Sequence, residues 1–353
     1  MKDKTHISIR HINKMYHDGT KTLNDINLEI NEGEILVLLG SSGCGKSTLL
    51  RTIAGLEEKT SGEIYFYNQE ITGVPVEKRN IGFVFQNYAL FPTMTVRENI
   101  SFGLKLQKLS KEIINNRVKE LVHMMNLQEL LDKKPMHLSG GQQQRVAIAR
   151  VLAIKPKVLL MDEPLTALDA KLKERLRIEL GKMLRKLGIT TIYVTHDQRE
   201  AMAIADRIAI VNKGVIEQID TPENIYLSPK SAYTAQFIGK INALKGTIKS
   251  EKEKDSVDLG FIKIPYTGIE TMKDGSEINV FIRPEDIHLV TKGKKDDFKV
   301  KVTIEQLVFM GGFYQIEASL GNQNIFFEVP NTIALKEKEE IEITFDMNKI
   351  IMV

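Results

Sequence analysis

The chain has 353 residues, enough for two domains that each bury a core of their own. Its 49 lysine and arginine residues against 46 aspartate and glutamate residues leave a net charge of +3, which gives no overall argument for nucleic-acid binding. The single cysteine, Cys44, excludes a disulfide framework, and no run approaches the roughly 18 apolar residues of a membrane span. Because the N-terminus is polar and has no apolar leader, we expect no secretion and a reducing cytosol.

The first predicted elements are strands followed by a helix. Residues 7–12 and 26–30 alternate apolar and polar side chains, as half-buried strands do. The continuous apolar run Ile35–Leu39 predicts a central strand. It ends at a glycine-rich turn, after which a helix is predicted from Ser47 to Ala54.

The next segment predicts helices and then two more buried strands. Residues 95–155 have apolar side chains at helical spacing and predict a helical lobe. Apolar strands are predicted at Val158–Met161 and Thr191–Thr195. Together with the first strands they favour a parallel sheet with helices between its strands.

Short alternating segments dominate after about residue 230. Charged or glycine-containing turns separate them, and this spacing favours a small all-β barrel. We therefore predict one domain over residues 1–235 and a second over residues 236–353. The segments are Gly246–Ile248, Glu277–Ile282, Phe298–Ile304, Tyr314–Ala318, Asn324–Val329 and Glu340–Phe345.

A phosphate-binding loop is predicted between the strand Ile35–Leu39 and the following helix. The pattern GxxxxGK[ST] lets backbone amides wrap phosphates and places a lysine ammonium on their oxygens. The serine hydroxyl that ends the pattern is a candidate ligand for Mg²⁺. Within the loop we interpret Cys44 as a small residue rather than a redox-sensitive thiol. The pattern comprises Gly40, Ser41, Ser42, Gly43, Cys44, Gly45, Lys46 and Ser47.

Two adjacent carboxylates, Asp162 and Glu163, end an apolar strand, where ligands bind in parallel sheets. Without other motifs, two such acids would more often be solvated side chains with no functional role. The phosphate-binding loop upstream makes a functional role the better interpretation. We expect Asp162 to hold hydrated Mg²⁺. Glu163 is expected to orient or polarise the water that attacks the γ-phosphate.

Three further candidates, His196, Gln86 and Tyr16, each have an ordinary structural alternative. His196 follows the strand Thr191–Thr195 and is a candidate γ-phosphate contact. Gln86 would usually make a turn hydrogen bond, but its side-chain oxygen could reach the metal and its water. Tyr16 could stack on a purine ring, or it could be a partly exposed packing residue.

A second anion site is predicted at Ser139, Gly140, Gly141 and Gln142, which open an amphipathic helix. Two adjacent glycines after a serine leave backbone N–H groups bare at the positive end of that helix. An ordinary phosphate-loop protein needs no second site of this kind.

These motifs resemble those of the ATP-binding-cassette (ABC) ATPases. Departures from the family pattern are mild: Ser41 replaces the usual proline, Thr166 the usual serine and Val151 the usual alanine. The motifs stand in family order: Walker A at 40–48, which ends on Thr48, the Q-loop at Gln86, the signature at Leu138–Gln142, Walker B at Val158–Glu163, the D-loop at Ala167–Asp169 and the switch histidine at His196.

The resemblance implies an ATPase that uses Mg²⁺ and has an α/β P-loop core. That core combines a parallel sheet, an antiparallel β subdomain and the inserted helical lobe at about 95–155. In the family, the signature of one subunit faces the Walker A loop of another. The resemblance therefore implies a homodimer in which Asp169 contacts nucleotide and the signature serves the partner's ATP.

Several longer strings resemble importer ATPases that carry a C-terminal TOBE barrel, an OB-like module. This implies two integral-membrane permease subunits, an extracytoplasmic solute-binding protein, a peripheral position on the cytoplasmic face and no nucleic acid. The surface around Gln86 to Thr95 would receive the coupling helices of the permease. The strings are Ser139–Arg150, Leu168–Leu172, Thr195–Gln198 and Phe281–Asp286.

The segment Leu307–Tyr314 resembles polyamine, ferric-iron and phosphonate importer ATPases more than the sugar group, which implies one of these three solutes, with sugar and sulfate importers as alternatives. The barrel itself could bind a regulatory ligand or partner, or could be a structural module that stabilises a dimer. A soluble, non-transport ABC ATPase is disfavoured because the chain has neither a long coiled-coil insertion nor a second cassette. An exporter is disfavoured by the C-terminal β module, and a P-loop kinase would need no signature.

Overall fold

The computed structural model describes residues 5–166, 170–251, 254–266, 272–290 and 298–353. The chain divides into two compact units, one up to Glu223 and one from Asn224 onward. The predicted boundary, between residues 235 and 236, lies further along the chain.

The elements of the first unit are β1 (Thr5–Met15), β2 (Lys21–Asn31), β3 (Ile35–Leu39), α1 (Lys46–Ala54), β4 (Ser61–Phe66), β5 (Gln69–Glu70), β6 (Ile81–Val84), α2 (Val96–Leu106), α3 (Lys111–Met124), α4 (Gly140–Ala153), β7 (Val158–Asp162), α5 (Ala170–Leu187), β8 (Thr190–Thr195), α6 (Gln198–Ile204), β9 (Arg207–Asn212) and β10 (Val215–Asp220).

The elements that follow are α7 (Pro222–Leu227), α8 (Ala232–Phe237), β11 (Asn242–Glu251), β12 (Lys254–Asp258), β13 (Lys263–Pro265), β14 (Glu277–Ile282), β15 (Ile287–Leu289), β16 (Lys299–Phe309), β17 (Phe313–Leu320), β18 (Gln323–Pro330), β19 (Glu340–Phe345) and β20 (Ile351–Met352).

A six-stranded sheet with the order β10-β9-β3-β8-β7-β6 forms the centre of the first unit. Every neighbouring pair is parallel except β9 and β10. Strands β3, β7 and β8 are buried along their whole length, which explains their unbroken apolar runs. The predicted parallel sheet is confirmed.

The parallel pairing places the carboxyl ends of β3, β8, β7 and β6 side by side at one edge of this sheet. The loops that leave these four strands therefore begin close together, although they are far apart in sequence. This edge is where side chains from four segments can converge on one ligand.

An antiparallel sheet and a helical lobe complete the first unit. The sheet has the order β2-β1-β4-β5, and its apolar face shares a core with α1 and the central sheet. The lobe comprises α2, α3 and α4 within residues 96–153, as predicted. Thr95 and Ser139 begin α2 and α4 with capping boxes, in which side chain and backbone bond reciprocally.

The second unit contains two five-stranded antiparallel sheets, with the orders β13-β12-β11-β14-β20 and β15-β19-β16-β17-β18. Apolar residues from both sheets form one core, including Ile248 and Val280 from the first and Ile316, Phe327 and Ile343 from the second. This arrangement confirms the predicted small all-β module.

The segment that carries α7 and α8 is tied to this second unit by Arg283. Its guanidinium donates to the carbonyl oxygens of Tyr226 at 3.0 Å and Lys240 at 3.3 Å, and it lies 4.0 Å from the centre of the Tyr226 ring. Burial lowers the pKa of Arg283 from its usual value. These contacts explain why the boundary falls before residue 224 rather than at the start of the β-rich sequence.

Candidate functional site

The phosphate-binding loop runs from the end of β3 into α1, and its backbone requires glycine at two positions. Gly43 and Gly45 have φ angles of 79° and 106°, a range that side chains rarely adopt. A Cβ on Gly45 would lie 2.7 Å from the carbonyl oxygen of Thr22. Gly45 is also the N-cap of α1 and provides no capping side chain, so N–H groups of the first turn are available for phosphate oxygens.

Lys46 is buried, and its ammonium group is held by the backbone of the loop. Nζ donates to the carbonyl oxygens of Gly40 at 2.9 Å and Ser41 at 2.7 Å, and it lies 3.6 Å from Cys44 Sγ. A charge that is only 4% exposed needs partners. Phosphate oxygens would be stronger partners than neutral carbonyls, so the loop presents a cation suited to an anionic ligand.

Ser47 and Asp162 connect the loop to the end of β7. Ser47 Oγ donates to Asp162 Oδ1 at 2.7 Å, and Arg51 Nη2 lies 3.5 Å from Asp162 Oδ2. Hydroxyl and carboxylate oxygens are the hard ligands that Mg²⁺ prefers, and Mg²⁺ is commonly held by one or two protein ligands together with phosphates. The donor set therefore fits a magnesium ion bound with a nucleotide.

Glu163 lies at the centre of a cluster of polar side chains. Its carboxylate Oε2 accepts hydrogen bonds from Thr166 Oγ1 at 3.1 Å and from Gln86 Nε2 at 3.3 Å, and Oε1 lies 3.1 Å from His196 Nδ1. The Glu163 N–H donates to the carbonyl oxygen of Val194 at 3.0 Å, which fixes the start of this turn against β8.

The structure thus brings together the three predicted catalytic residues, Gln86, Glu163 and His196. They follow β6, β7 and β8, whose carboxyl ends are adjacent in the sheet. Gln86 uses its amide nitrogen toward Glu163, so its side-chain oxygen is the atom that a metal would contact. Their roles in chemistry stay predictions at this point.

Tyr16 lies in the turn that joins β1 to β2. Its backbone closes this turn through hydrogen bonds with Thr20 and Gly19. The ring is partly exposed, and Lys14 Nζ lies 4.7 Å from its centre, so one face of the ring is covered by a cation.

The signature residues form the start of α4, within the helical lobe. Ser139 Oγ accepts a hydrogen bond from the Gln142 N–H at 3.4 Å, and Gln142 Oε1 accepts one from the Ser139 N–H at 2.9 Å. Gly140 and Gly141 are the first residues of the helix. Across the described ranges, no hydrogen bond or ion pair connects these four residues to the phosphate-binding loop or to Glu163.

Sequence reasoning missed two partners in the site, Thr166 and Arg51. Arg51 lies four residues after Ser47 on α1, and this spacing places both side chains on one face of a helix. Thr166 closes a turn with Glu163, since its N–H donates to the Glu163 carbonyl oxygen at 3.2 Å. The predicted D-loop residue Asp169 lies outside the described residues.

Comparison with known proteins gives matches over both units. Residues 23–166 match the family described as ABC transporter, and residues 280–353 match the TOBE domain. The spermidine/putrescine import ATP-binding protein of Borrelia garinii subsp. bavariensis is 42% identical over 353 residues, which cover 99% of this chain and 98% of that protein.

Two further relatives and two solved structures are also named as ATP-binding proteins or as parts of ABC transporters. Proteins of the same name from Oleidesulfovibrio alaskensis and Haemophilus influenzae are 45% and 49% identical, over 86% and 81% of this chain and 83% and 77% of theirs. The structure of cbiO1 from Clostridium perfringens, part of the ABC transporter complex cbiONQ, has a TM-score of 0.59 at 34% identity and covers 63% of this chain and 91% of its own. An ATP-binding cassette solved as a dimer in a post-hydrolysis state, bound to ADP and Pi, has a TM-score of 0.55 at 36% identity, covering 61% and 98%.

Proposed function

We propose residue roles, partners and a solute for this chain from one premise: it belongs to the ABC transporter family. As a member of that family it binds ATP, hydrolyses it and couples the hydrolysis to import across a membrane. We assign the hydrolytic step to the cluster around Glu163.

The observation that supports this assignment most directly is the set of contacts on the Glu163 carboxylate. Gln86 and Thr166 donate hydrogen bonds to one oxygen of this carboxylate, and His196 contacts the other. Asp162, the preceding residue, ends β7. A carboxylate fixed in this way can accept a hydrogen bond from a water molecule and orient it for in-line attack on the γ-phosphate. Glu163 is thus the residue that orients the attacking water and receives its proton.

The phosphate-binding loop holds the nucleotide for this attack. Backbone N–H groups between Gly40 and Thr48 surround the phosphates, and Lys46 exchanges its carbonyl partners for the β and γ oxygens. Ser47 and Asp162, with the side-chain oxygen of Gln86, would hold Mg²⁺. When bound, the ion neutralises charge on the phosphate oxygens.

His196 and Tyr16 complete the contacts within one chain. With His196 Nδ1 directed to Glu163, Nε2 is the ring nitrogen that can meet the γ-phosphate. Tyr16 stacks on the adenine with the face of its ring that Lys14 does not cover.

The signature is assigned to a partner's nucleotide, in a homodimer of this chain. Its four residues make no polar contact with the loop of their own chain within the described ranges, so a second copy is what they would serve. The Ser139 hydroxyl accepts its capping bond from Gln142, and a hydroxyl that accepts in this way can still donate to a phosphate oxygen. Gly140 and Gly141 allow close approach of the backbone, and Asp169 is assigned to the same interface.

The membrane partners are assigned to an aromatic groove beside the Gln86 loop, defined by Phe85, Ala89, Phe91, Phe102 and Arg150. The Phe91 and Phe102 rings lie 4.4 Å apart, and Phe85 and Ala89, on either side of Gln86 in the chain, line the same groove. We propose that a short helix from each of two membrane subunits packs here. In the part of the chain that the structure describes, no helix is both long and apolar enough to cross a membrane.

The proposed solute is a polyamine, delivered by an extracytoplasmic solute-binding protein. Relatives that cover between 81% and 99% of this chain are named for spermidine and putrescine import, and among the sequence-based alternatives polyamines are the class that these names support. The proposed location is the cytoplasmic face of the membrane, bound through the membrane subunits.

Reconstitution in vesicles with the membrane subunits and the binding protein tests these roles together. Phosphate release and uptake of labelled spermidine are measured for the wild type, for Glu163→Gln and for the control Glu112→Gln, an exposed glutamate in the first turn of α3. We expect Glu163→Gln to lower both rates by about a hundredfold or more, since a positioned base contributes about that much. The control should match the wild type.

Two outcomes would overturn separate parts of the proposal. If the Glu163→Gln variant releases phosphate at the wild-type rate, Glu163 does not orient the attacking water. If phosphate release depends on Glu163 but accompanies uptake of ferric iron, phosphonate, sulfate or sugar instead of spermidine, only the assignment of the solute is wrong.

A further inference from the structure

The turn that follows Gln86 has an unfavourable backbone conformation at two consecutive residues. Tyr88 and Ala89 have φ angles of 62° and 45°, in the left-handed region that residues with a side chain rarely occupy. Such residues persist only where their surroundings hold them in place. The loop itself contributes one backbone hydrogen bond here, from the Tyr88 N–H to the Phe85 carbonyl oxygen at 2.9 Å.

The phenol of Tyr88 adds a second unfavourable feature. Tyr88 is only 4% exposed, and its hydroxyl has no hydrogen-bond partner among the residues that the structure describes. A buried polar atom without a partner disfavours the conformation that buries it. The turn therefore depends on an outside contact to keep this shape.

That contact comes from Arg150, in the last turn of α4, the helix that begins at the signature. Its Nη1 donates to the Ala89 carbonyl oxygen at 2.7 Å, and its Nη2 donates to the Tyr88 carbonyl oxygen at 3.0 Å. The guanidinium carbon also lies 5.2 Å from the centre of the Phe91 ring. A planar fork that donates to two successive carbonyls fixes both peptide planes, which a lysine cannot do as rigidly.

The contact between Gln86 and Glu163 is sensitive to the position of this turn. The Gln86 side chain is exposed, and its hydrogen bond to Glu163 is 3.3 Å long, near the limit for such a bond. A bond of this length tolerates little further displacement of the loop that carries Gln86. The place of the Gln86 amide is thus set by the backbone and not by packing of its own side chain.

We propose that Arg150 is a positioning residue for ATP hydrolysis, which holds the Tyr88–Ala89 turn so that Gln86 contacts Glu163. The inference rests on the proposed roles of Gln86 and Glu163 and adds a residue that touches neither. It also gives α4 two functions: its first turn carries the signature, and its last turn supports the loop after β6.

The test compares Arg150→Met and Arg150→Lys with Arg117→Met in the purified full chain. Arg117, on α3, is a matched control, because its guanidinium also donates to a backbone carbonyl in the same lobe, that of Leu152 at 2.8 Å, but not to the turn. We expect Arg150→Met to lower kcat about tenfold while the KM for ATP stays within about twofold, because only the transition-state geometry changes. Arg150→Lys should recover part of kcat, and Arg117→Met should keep it.

A double-mutant cycle with Gln86→Ala distinguishes positioning from general loss of stability. If Arg150 acts through Gln86, adding Arg150→Met to Gln86→Ala should change kcat by less than about twofold, because the contact is already gone. Hydrogen exchange of the peptide covering residues 85–92 should be about tenfold faster in Arg150→Met and unchanged in Arg117→Met.

Three results would overturn the inference: wild-type kcat in Arg150→Met, equal losses in Arg150→Met and Arg117→Met, or additive losses in the cycle. Failure of the proposed function looks different. In that case the wild-type chain releases phosphate at a rate that neither Gln86→Ala nor Glu163→Gln changes, whatever residue stands at position 150.

Discussion

Glu163 has a φ angle of 45°, a conformation that costs free energy and is retained where several contacts over-determine it. Its N–H is bound to Val194, and its carboxylate is bound by Thr166, Gln86 and His196. Two of these contacts come from other loops, but Thr166 belongs to the same turn. The position of the carboxylate is therefore fixed locally by Thr166 and adjusted by the loops after β6 and β8.

Replacement of Thr166 tests this local contribution. Thr166→Ala removes the 3.1 Å hydrogen bond to Glu163 Oε2, and because a hydrogen bond to a charged group is worth about 1.5–3 kcal/mol, we expect kcat to fall about tenfold. Thr166→Ser keeps the hydroxyl and should stay close to the wild type. Phosphate release at saturating ATP measures both. Equal losses in the two variants would mean that the methyl group, and not the hydroxyl, supports Glu163.

The residues that sequence could and could not predict differ in how their contacts arise. Lys46 and Glu163 are marked by the residues around them, a glycine-rich loop and a buried strand, so their place at the sheet edge could be inferred. Thr166 and Arg150 carry no such local mark, because each is defined by the backbone turn it meets. That turn geometry exists only in the folded chain.

At the scale of elements, two strands that the sequence predicted only in part or not at all contain a glycine. Strand β6 has four residues including Gly82, where a Cβ would approach Pro156 Cγ to 3.0 Å. Strand β11 was predicted only at residues 246–248 but spans ten residues, and a Cβ on Gly246 would lie 3.0 Å from Leu259 Cδ2. Both glycines are required by close packing, yet each breaks the apolar pattern that predicts a strand.

An ionic network around the buried Glu200 carboxylate joins α5 to the loop that carries His196. Lys173 Nζ lies 3.2 Å from Asp197 Oδ2 and 3.1 Å from Glu200 Oε1, the latter outside hydrogen-bond geometry. Glu200 Oε2 accepts hydrogen bonds from Thr195 at 2.7 Å and Tyr193 at 3.0 Å. Burial, reinforced by the Glu200 carboxylate, holds the pKa of the Tyr193 phenol well above its usual value. The network thus supports both residues that flank His196.

Lys173→Met should lower the free energy of unfolding by about 3 kcal/mol, because it leaves Glu200 buried without its cation. Lys173→Met combined with Glu200→Gln should recover part of this loss, since no unpaired charge is then buried. Lys182→Met, on the exposed face of the same helix, is the matched control and should change stability by less than about 0.5 kcal/mol. Urea denaturation measures all three. A loss in the double variant as large as in Lys173→Met would show that packing, not charge, is responsible.

The pKa shifts in this network give the pH range in which the difference between wild type and Lys173→Met should appear. Burial alone would lower the pKa of Lys173, but Glu200 and Asp197 raise this pKa above its usual value. The contribution of Lys173 to the free energy of unfolding is therefore lost as pH rises through the raised pKa. Burial alone would raise the pKa of Asp197, but hydrogen bonds from the Glu200 N–H and Lys173 lower it, so its contribution is lost as pH falls through that lowered pKa. The difference in the free energy of unfolding between the wild type and Lys173→Met should be largest at neutral pH and decrease at strongly acidic and strongly alkaline pH.

At the scale of the whole molecule, the two units differ in what stabilises them. The first unit has its own apolar core, formed by α1 and two sheets, and its proposed ligand binds at the edge of one of these sheets. The second unit has a separate core formed between two antiparallel sheets. Because the apolar residues of each core come from a single unit, a substitution in one core should leave the stability of the other unit unchanged.

Calorimetry of the full chain tests this independence, and it suits a chain that contains no tryptophan. Ile316→Ala, at a fully buried position of the second core, should cost about 2–5 kcal/mol and lower one unfolding transition, whereas Phe309→Ala, at a largely exposed position of the same unit, should change little. ADP with Mg²⁺ at about a hundred times its Kd should stabilise the other transition by about 2.7 kcal/mol, because it binds only the folded first unit. A single transition that both Ile316→Ala and nucleotide move would mean that the units unfold as one.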